Sequence, residues 1–177
     1  PARAHGAEAA RSAQALGDAE LLARAALAHA TSAGVGGRDH AALELLRLAN
    51  DALPKADSAI RAKVMARLSI ALLPAPPDEH AGALRLGDDA LAMARRLGDE
   101  DTLFFVLSFT RETPAETQSP ALRFALNAET LALAKKLGRV PHVASLFAWQ
   151  VAACLELGDI DAAVREVDAM ERLLGSY

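Results

Sequence analysis

Residues 83–98 read ALRLGDDALAMARRLG, and residues 124–138 read FALNAETLALAKKLG. The two stretches correspond position by position over a spacing of about forty residues. Leu84 matches Phe124, Leu86 matches Leu126 and Leu91 matches Leu131, while Met93 matches Leu133, Ala94 matches Ala134, Leu97 matches Leu137 and Gly98 matches Gly138. A unit of this length that recurs is the mark of a stacked array of helices. At about 100° per residue, Leu86, Met93 and Leu97 fall on one flank of the first stretch and Leu84 and Leu91 on the other. Ala83, Gly87, Ala90 and Ala94 lie between the flanks. Arg85, Asp88, Asp89, Arg95 and Arg96 fill the remaining arc, which also holds Ala92. The apolar arc is wider than the roughly 100° stripe of an ordinary surface helix, so it predicts packing on two sides. Small residues at its centre let a neighbouring helix come close. One such helix cannot bury its apolar surface alone, which is why units of this kind stack.

The repeat extends outward in both directions. About 38 residues before the central unit, Leu46, Leu48, Asp51, Ala52 and Leu53 match Leu84, Leu86, Asp89, Ala90 and Leu91. Nearer the N-terminus, Ala9, Ala13, Leu16, Gly17 and Asp18 match Ala90, Ala94, Leu97, Gly98 and Asp99. Glycine stops a helix in the left-handed conformation, and a following aspartate caps the next helix. Leu16-Gly17-Asp18, Leu97-Gly98-Asp99 and Leu157-Gly158-Asp159 therefore mark helix junctions. The pattern predicts nine helices, over about Ala2–Leu16, Ala19–Ser32, His40–Leu53, Asp57–Leu73, Asp78–Leu97, Glu100–Phe109, Pro120–Leu137, Pro141–Leu157 and Ile160–Leu174. Leu103 to Phe109 would form a strand by propensity, but its place in the repeat predicts a buried helix. Pro74-Ala75-Pro76-Pro77 ends the fourth helix, and the stretch from Thr110 to Gln118 is the longest break. The fold class expected is all-α: a right-handed superhelix of about four antiparallel helix pairs plus a terminal helix, in a single helical-repeat domain spanning residues 1–177.

Composition agrees. The chain is 52% hydrophobic but only 4% aromatic, and its alanine and leucine are strong helix formers. The formal net charge is −4, and acidic and basic residues alternate without forming a basic stripe, so direct nucleic-acid binding is not expected. No apolar run is long enough to span a membrane. The lone Cys154 lies on an apolar helix face and reads as core, consistent with a reducing cytoplasm. There is no signal peptide, and a chain that begins on Pro1 and turns helical at once reads as a segment of a longer one.

Sites with chemistry are scarce. Gly34-Val35-Gly36-Gly37 lacks the lysine and the preceding strand of a phosphate loop and reads as a linker. His5, His29, His40, His80 and His142 have no pair at the spacing of a helical metal site, and His40 and His80 sit in first helical turns. Asp78-Glu79 and Asp88-Asp89 are adjacent residues that point about 100° apart, so neither pair forms an acid–base couple. Trp149 reads as core, as do Phe104, Phe105, Phe109, Phe124 and Phe147. No catalytic constellation, cofactor site or metal site is expected.

Leu86-Gly87-x-x-Ala90 resembles the Leu-Gly-x-x-Tyr core of the tetratricopeptide repeat, with the family's tryptophan and tyrosine missing and its period stretched. The phrases Gly17-Asp18-Ala19-Glu20-Leu21-Leu22-Ala23-Arg24, Ala90-Leu91-Ala92-Met93-Ala94-Arg95-Arg96-Leu97-Gly98-Asp99 and Leu155-Glu156-Leu157-Gly158-Asp159 are similar to long-helix tetratricopeptide-like arrays of large bacterial regulators. In those chains a signal-transduction ATPase precedes the array, and a LuxR-type DNA-binding domain, kinase or cyclase is attached. The resemblance implies a non-catalytic interaction and regulatory segment whose odd-numbered helices line a concave surface. Its partner would be a protein, a peptide or another domain of the same chain. On that surface the polar arcs predict Asn50, Arg85, Asp88, Arg95, Arg123, Asn127 and Lys135 as partner-binding residues, with Arg96 and Lys136 beside them. The alternative is a small-molecule effector held in the groove.

Overall fold

The computed structural model describes residues 2–30, 39–110 and 119–175. Among the described residues there are nine helices and no strand: α1 Ala2–Leu16, α2 Ala19–Ala30, α3 His40–Ala52, α4 Ala59–Ala71, α5 Pro77–Leu97, α6 Glu100–Thr110, α7 Pro120–Lys136, α8 Val140–Glu156 and α9 Ile160–Leu174. The run Leu103–Phe109 is helical, as its place in the repeat predicts. It packs on both α4 and α5, which explains its broad apolar surface.

The Gly-Asp junctions work as two adjacent instructions. Gly98 takes φ 68°, and Asp99 then accepts the Thr102 N–H at 3.0 Å. Asp18 caps α2 through the Leu21 N–H at 2.9 Å, and Asp159 caps α9 through the Ala162 N–H at 2.8 Å. After α7 the residue following Gly138 is Arg139, and α8 starts without a side-chain cap. Gly175, expected to stop α9 in the same manner as the others, stays right-handed at φ −70°.

Two boundaries move for identifiable reasons. α4 begins at Ala59 behind a Ser58 cap, because Asp57 is occupied elsewhere. Its carboxylate takes two hydrogen bonds from Arg96, at 2.8 and 3.1 Å. α5 begins at Pro77, the first helical position, where a missing N–H costs nothing.

The chain divides into two compact units, Pro1–Thr110 and Arg111–Tyr177. In the first, the predicted small stripe is buried: Ala83, Ala90 and Ala94 are at most 1% exposed. A Cβ at Gly87 would lie 3.2 Å from Ser69 Oγ and 3.5 Å from Ser69 Cβ, so glycine there permits the close approach of α4 and α5. Ala92 is exposed. An unforeseen glycine does similar work earlier, since a Cβ at Gly6 would meet the Cβ and backbone of His29 at 3.0–3.1 Å.

The phase of the stacking differs from expectation. In the first unit α2 packs on α4 and α4 on α6. Among the described residues no comparable packing links α1 to α3 or α3 to α5. The even helices form the closely spaced row, and the odd helices stand further apart on the other side. α4 shows the cause: every residue from Arg61 to Ser69 except Lys63 is buried. It is wrapped by α2, α3, α5 and α6, which a helix with one polar face could not be.

In the second unit α8 packs against both α7 and α9. Val143, Leu146, Phe147, Gln150, Ala153 and Cys154 form its buried arc. Trp149 was expected in the core but is 57% exposed. On the helical wheel it falls just beyond the edge of that arc.

Candidate functional site

The even row presents the best-defined chemistry on the first unit. Lys63 and Arg67 stand one turn apart on α4, and Phe105 and Phe109 stand one turn apart on α6. The Lys63 ammonium lies 5.7 Å from the Phe105 ring centroid, and the Arg67 guanidinium 4.5 Å from that of Phe109. The two rings are 4.9 Å apart and tilted by 56°. Cations over aromatic faces attract the ring quadrupole, so this ladder ties the two helices while leaving Lys63, Phe105 and Phe109 half-buried. The sequence reading placed these aromatics in the core and missed the cations. The signal was present as two i, i+4 pairs on two helices of equal rank in the repeat.

At the start of α2, Asp18, Glu20, Leu21 and Arg24 line a depression of about 230 Å³. That is below the volume that encloses most drug-sized ligands. Its polar groups already satisfy one another: Asp18 accepts the Leu21 N–H, and Arg24 donates to Glu20 at 2.6 Å.

The residues predicted to bind a partner fall into three groups. Arg85, Asp88 and Arg95 are exposed on α5. Asn50, on α3, is half-buried, and its Oδ1 is shielded from solvent with no donor among the described residues. The α7 residues are engaged by α8. Arg123 pairs with Glu156, its side chain only 15% exposed. Asn127, 3% exposed, donates to the Leu146 carbonyl at 2.9 Å and to Gln150 Oε1 at 2.6 Å. The Lys135 ammonium covers the Phe147 ring at 4.7 Å. Asn127 therefore belongs to the core, a correction to its placement on a solvated arc. The repeat register carried that information, since Asn127 corresponds to Gly87 and Arg123 to Ala83, both on the buried stripe.

Other placements agree with the reading. Cys154 is 1% exposed, and burial pushes its thiol up from its ordinary value. Phe104 and Phe147 are buried. Asp78, Glu79, Asp88, Asp89 and His40 are exposed. His80, placed in a first helical turn, is half-buried, and His29 is buried. Among the described residues no group of three or more His, Cys, Asp or Glu side chains is placed to hold a metal, and no helix is long and apolar enough to cross a membrane. The Gly34–Gly37 stretch lies outside the described residues, as does the break after Thr110.

A scan against protein-family models finds none that matches the chain, and a search of curated proteins finds no significant match.

Proposed function

We propose that the chain is a non-catalytic protein-interaction and regulatory array, a segment of a larger cytoplasmic bacterial signalling or transcription-regulating protein. Its contact surface in the first unit is the even row. The observation that carries this reading is the spacing of the rows: α2, α4 and α6 pack one on the next while α3 and α5 stand apart. A two-layered stack bends toward its tighter layer, so the even row faces inward, where a bound segment meets several helices at once. The half-buried rings of Phe105 and Phe109 supply aromatic groups of the kind enriched at interfaces, with the half-buried Lys63 beside them. Leu21 and Arg24 extend the row on α2. The residues first suggested by the repeat, Asn50, Arg85, Asp88 and Arg95, lie on the odd row. The alternative is a small-molecule effector held in the groove; the depression beside Arg24 is too small, and its polar groups too mutually satisfied, to be that site.

Two pairs of charge changes in the full-length protein separate the surfaces. Arg24→Glu with Lys63→Gln alters the even row, and Arg85→Glu with Arg95→Glu alters the odd row. The first pair is expected to change regulated output while helicity and melting temperature hold, and the second to leave output intact. An effect of the second pair alone moves the surface to α5. Silence of both rejects an interaction role for this unit.

A further inference from the structure

α4 carries two arginines in a helix with almost no solvated face, and each is about 9% exposed. Arg61 Nη1 donates to the carbonyls of Leu53, at 3.4 Å, and Pro54, at 3.2 Å, where α3 ends. Arg67 Nη2 donates to the carbonyl of Ala30, the last described residue of α2. A buried carbonyl needs a donor, and each guanidinium supplies one.

Arg67 does something Arg61 does not. Its Nη2 serves Ala30, and its Cζ lies over the ring of Phe109 on α6. Arginine suits both tasks because its delocalised, forked cation can donate to a carbonyl and still attract a ring face. Among the described residues α2 and α6 have no comparable packing of their own, although each packs on α4. We infer that Arg67 couples the turn of α2 that holds Ala30 to the turn of α6 that holds Phe109, so that displacement of one is felt by the other. Thr110, next to Phe109, closes the first unit, so the coupling runs from the interior of that unit to its boundary. The Lys63–Phe105 contact, one turn earlier on the same two helices, is a built-in contrast: a cation over a ring without a carbonyl behind it.

Hydrogen exchange of the full chain, read in peptides covering residues 24–30 and 104–110, tests this. Phe109→Leu removes a ring on α6. It is expected to speed exchange about tenfold in both peptides, the scale of losing one buried polar contact. Lys63→Met is expected to leave residues 24–30 unchanged. Arg67→Lys keeps a cation and a donor but has no second branch to reach both partners, so at least one of the two peptides loosens. The inference is overturned if Phe109→Leu affects α6 alone. It is equally overturned if residues 7–16 of α1, which serve as the reference, speed up as much as residues 24–30. Should Arg67→Lys fail to fold, Phe109→Leu decides alone.

Discussion

Enlarging Ala90 tests the packing that the whole array depends on. Ala90 and Ala94 are 0% exposed. One turn before Ala90, Gly87 leaves so little room that a Cβ would sit 3.2 Å from Ser69 Oγ. The α4–α5 contact therefore has no slack, and the isopropyl group added by Ala90→Leu or Ala94→Leu must displace a helix or force side chains off their rotamers. Overpacking of that kind costs about 1–3 kcal/mol. With a urea slope of about 2 kcal/mol per molar, the midpoint should fall by about 0.5–1.5 M. Ala92→Leu adds the same group on the exposed arc, where a change should stay within about 0.5 kcal/mol, or about 0.25 M. Urea unfolding followed by far-ultraviolet circular dichroism gives all three midpoints. An equal fall in the three variants would show that the helical phase assigned to α5 is wrong.

Three further outcomes are expected. The Arg96 hydrogen bonds hold the Asp57 carboxyl below its ordinary value. Its contribution is thus present above the unfolded-state pKa of about 3.9 and lost as pH falls through the lower folded value. The stability gap between the wild type and Asp57→Asn should close in acid and narrow in high salt, and a gap that persists at about pH 2 contradicts this. Asn127→Leu strands the Gln150 carbonyl oxygen at a cost of about 1–3 kcal/mol, whereas Asn127→Leu with Gln150→Leu should recover most of it; simple additivity of the two single changes would deny the coupling. Native Cys154 should react with thiol reagents orders of magnitude more slowly than the unfolded chain, on the order of 100-fold or more; the rate of a free thiol under native conditions would place it outside the core.

The residues that spoke clearly in the sequence act over short distances. A glycine stop, an aspartate cap and the spacing of small residues are all local, and α1, α3, α5, α7, α8 and α9 begin and end within a residue of the prediction. What escaped depends on long side chains that reach across the fold. Arg96 meets Asp57, Arg67 meets Ala30 and Arg123 meets Glu156, each separated by more than thirty residues of chain. The pairing phase escaped for a related reason. Helical periodicity says which arc of α4 is apolar, but not that Arg61 and Arg67 are also buried because their donors find carbonyls on α2 and just after α3. Asn127 was misjudged because polarity was weighed above register.

The difference between the stripes of α5 and α7 bears on how a chain of look-alike helices finds one arrangement. The α5 stripe is Ala83, Gly87, Ala90 and Ala94; at the same register α7 has Arg123, Asn127, Thr130 and Ala134. Set against α4, the α7 stripe would drive a guanidinium and a carboxamide onto Ser69 and the apolar surface around it, leaving them without Glu156 and Gln150. Set against α8, the α5 stripe would leave Gln150 and Glu156 unanswered and open a void where Asn127 belongs. Each swap strands a buried carboxamide, Asn127 in the first case and Gln150 in the second, and an unpaired buried amide is costly. The repeats are thus alike enough to stack and unlike enough not to be mistaken for one another while the chain folds.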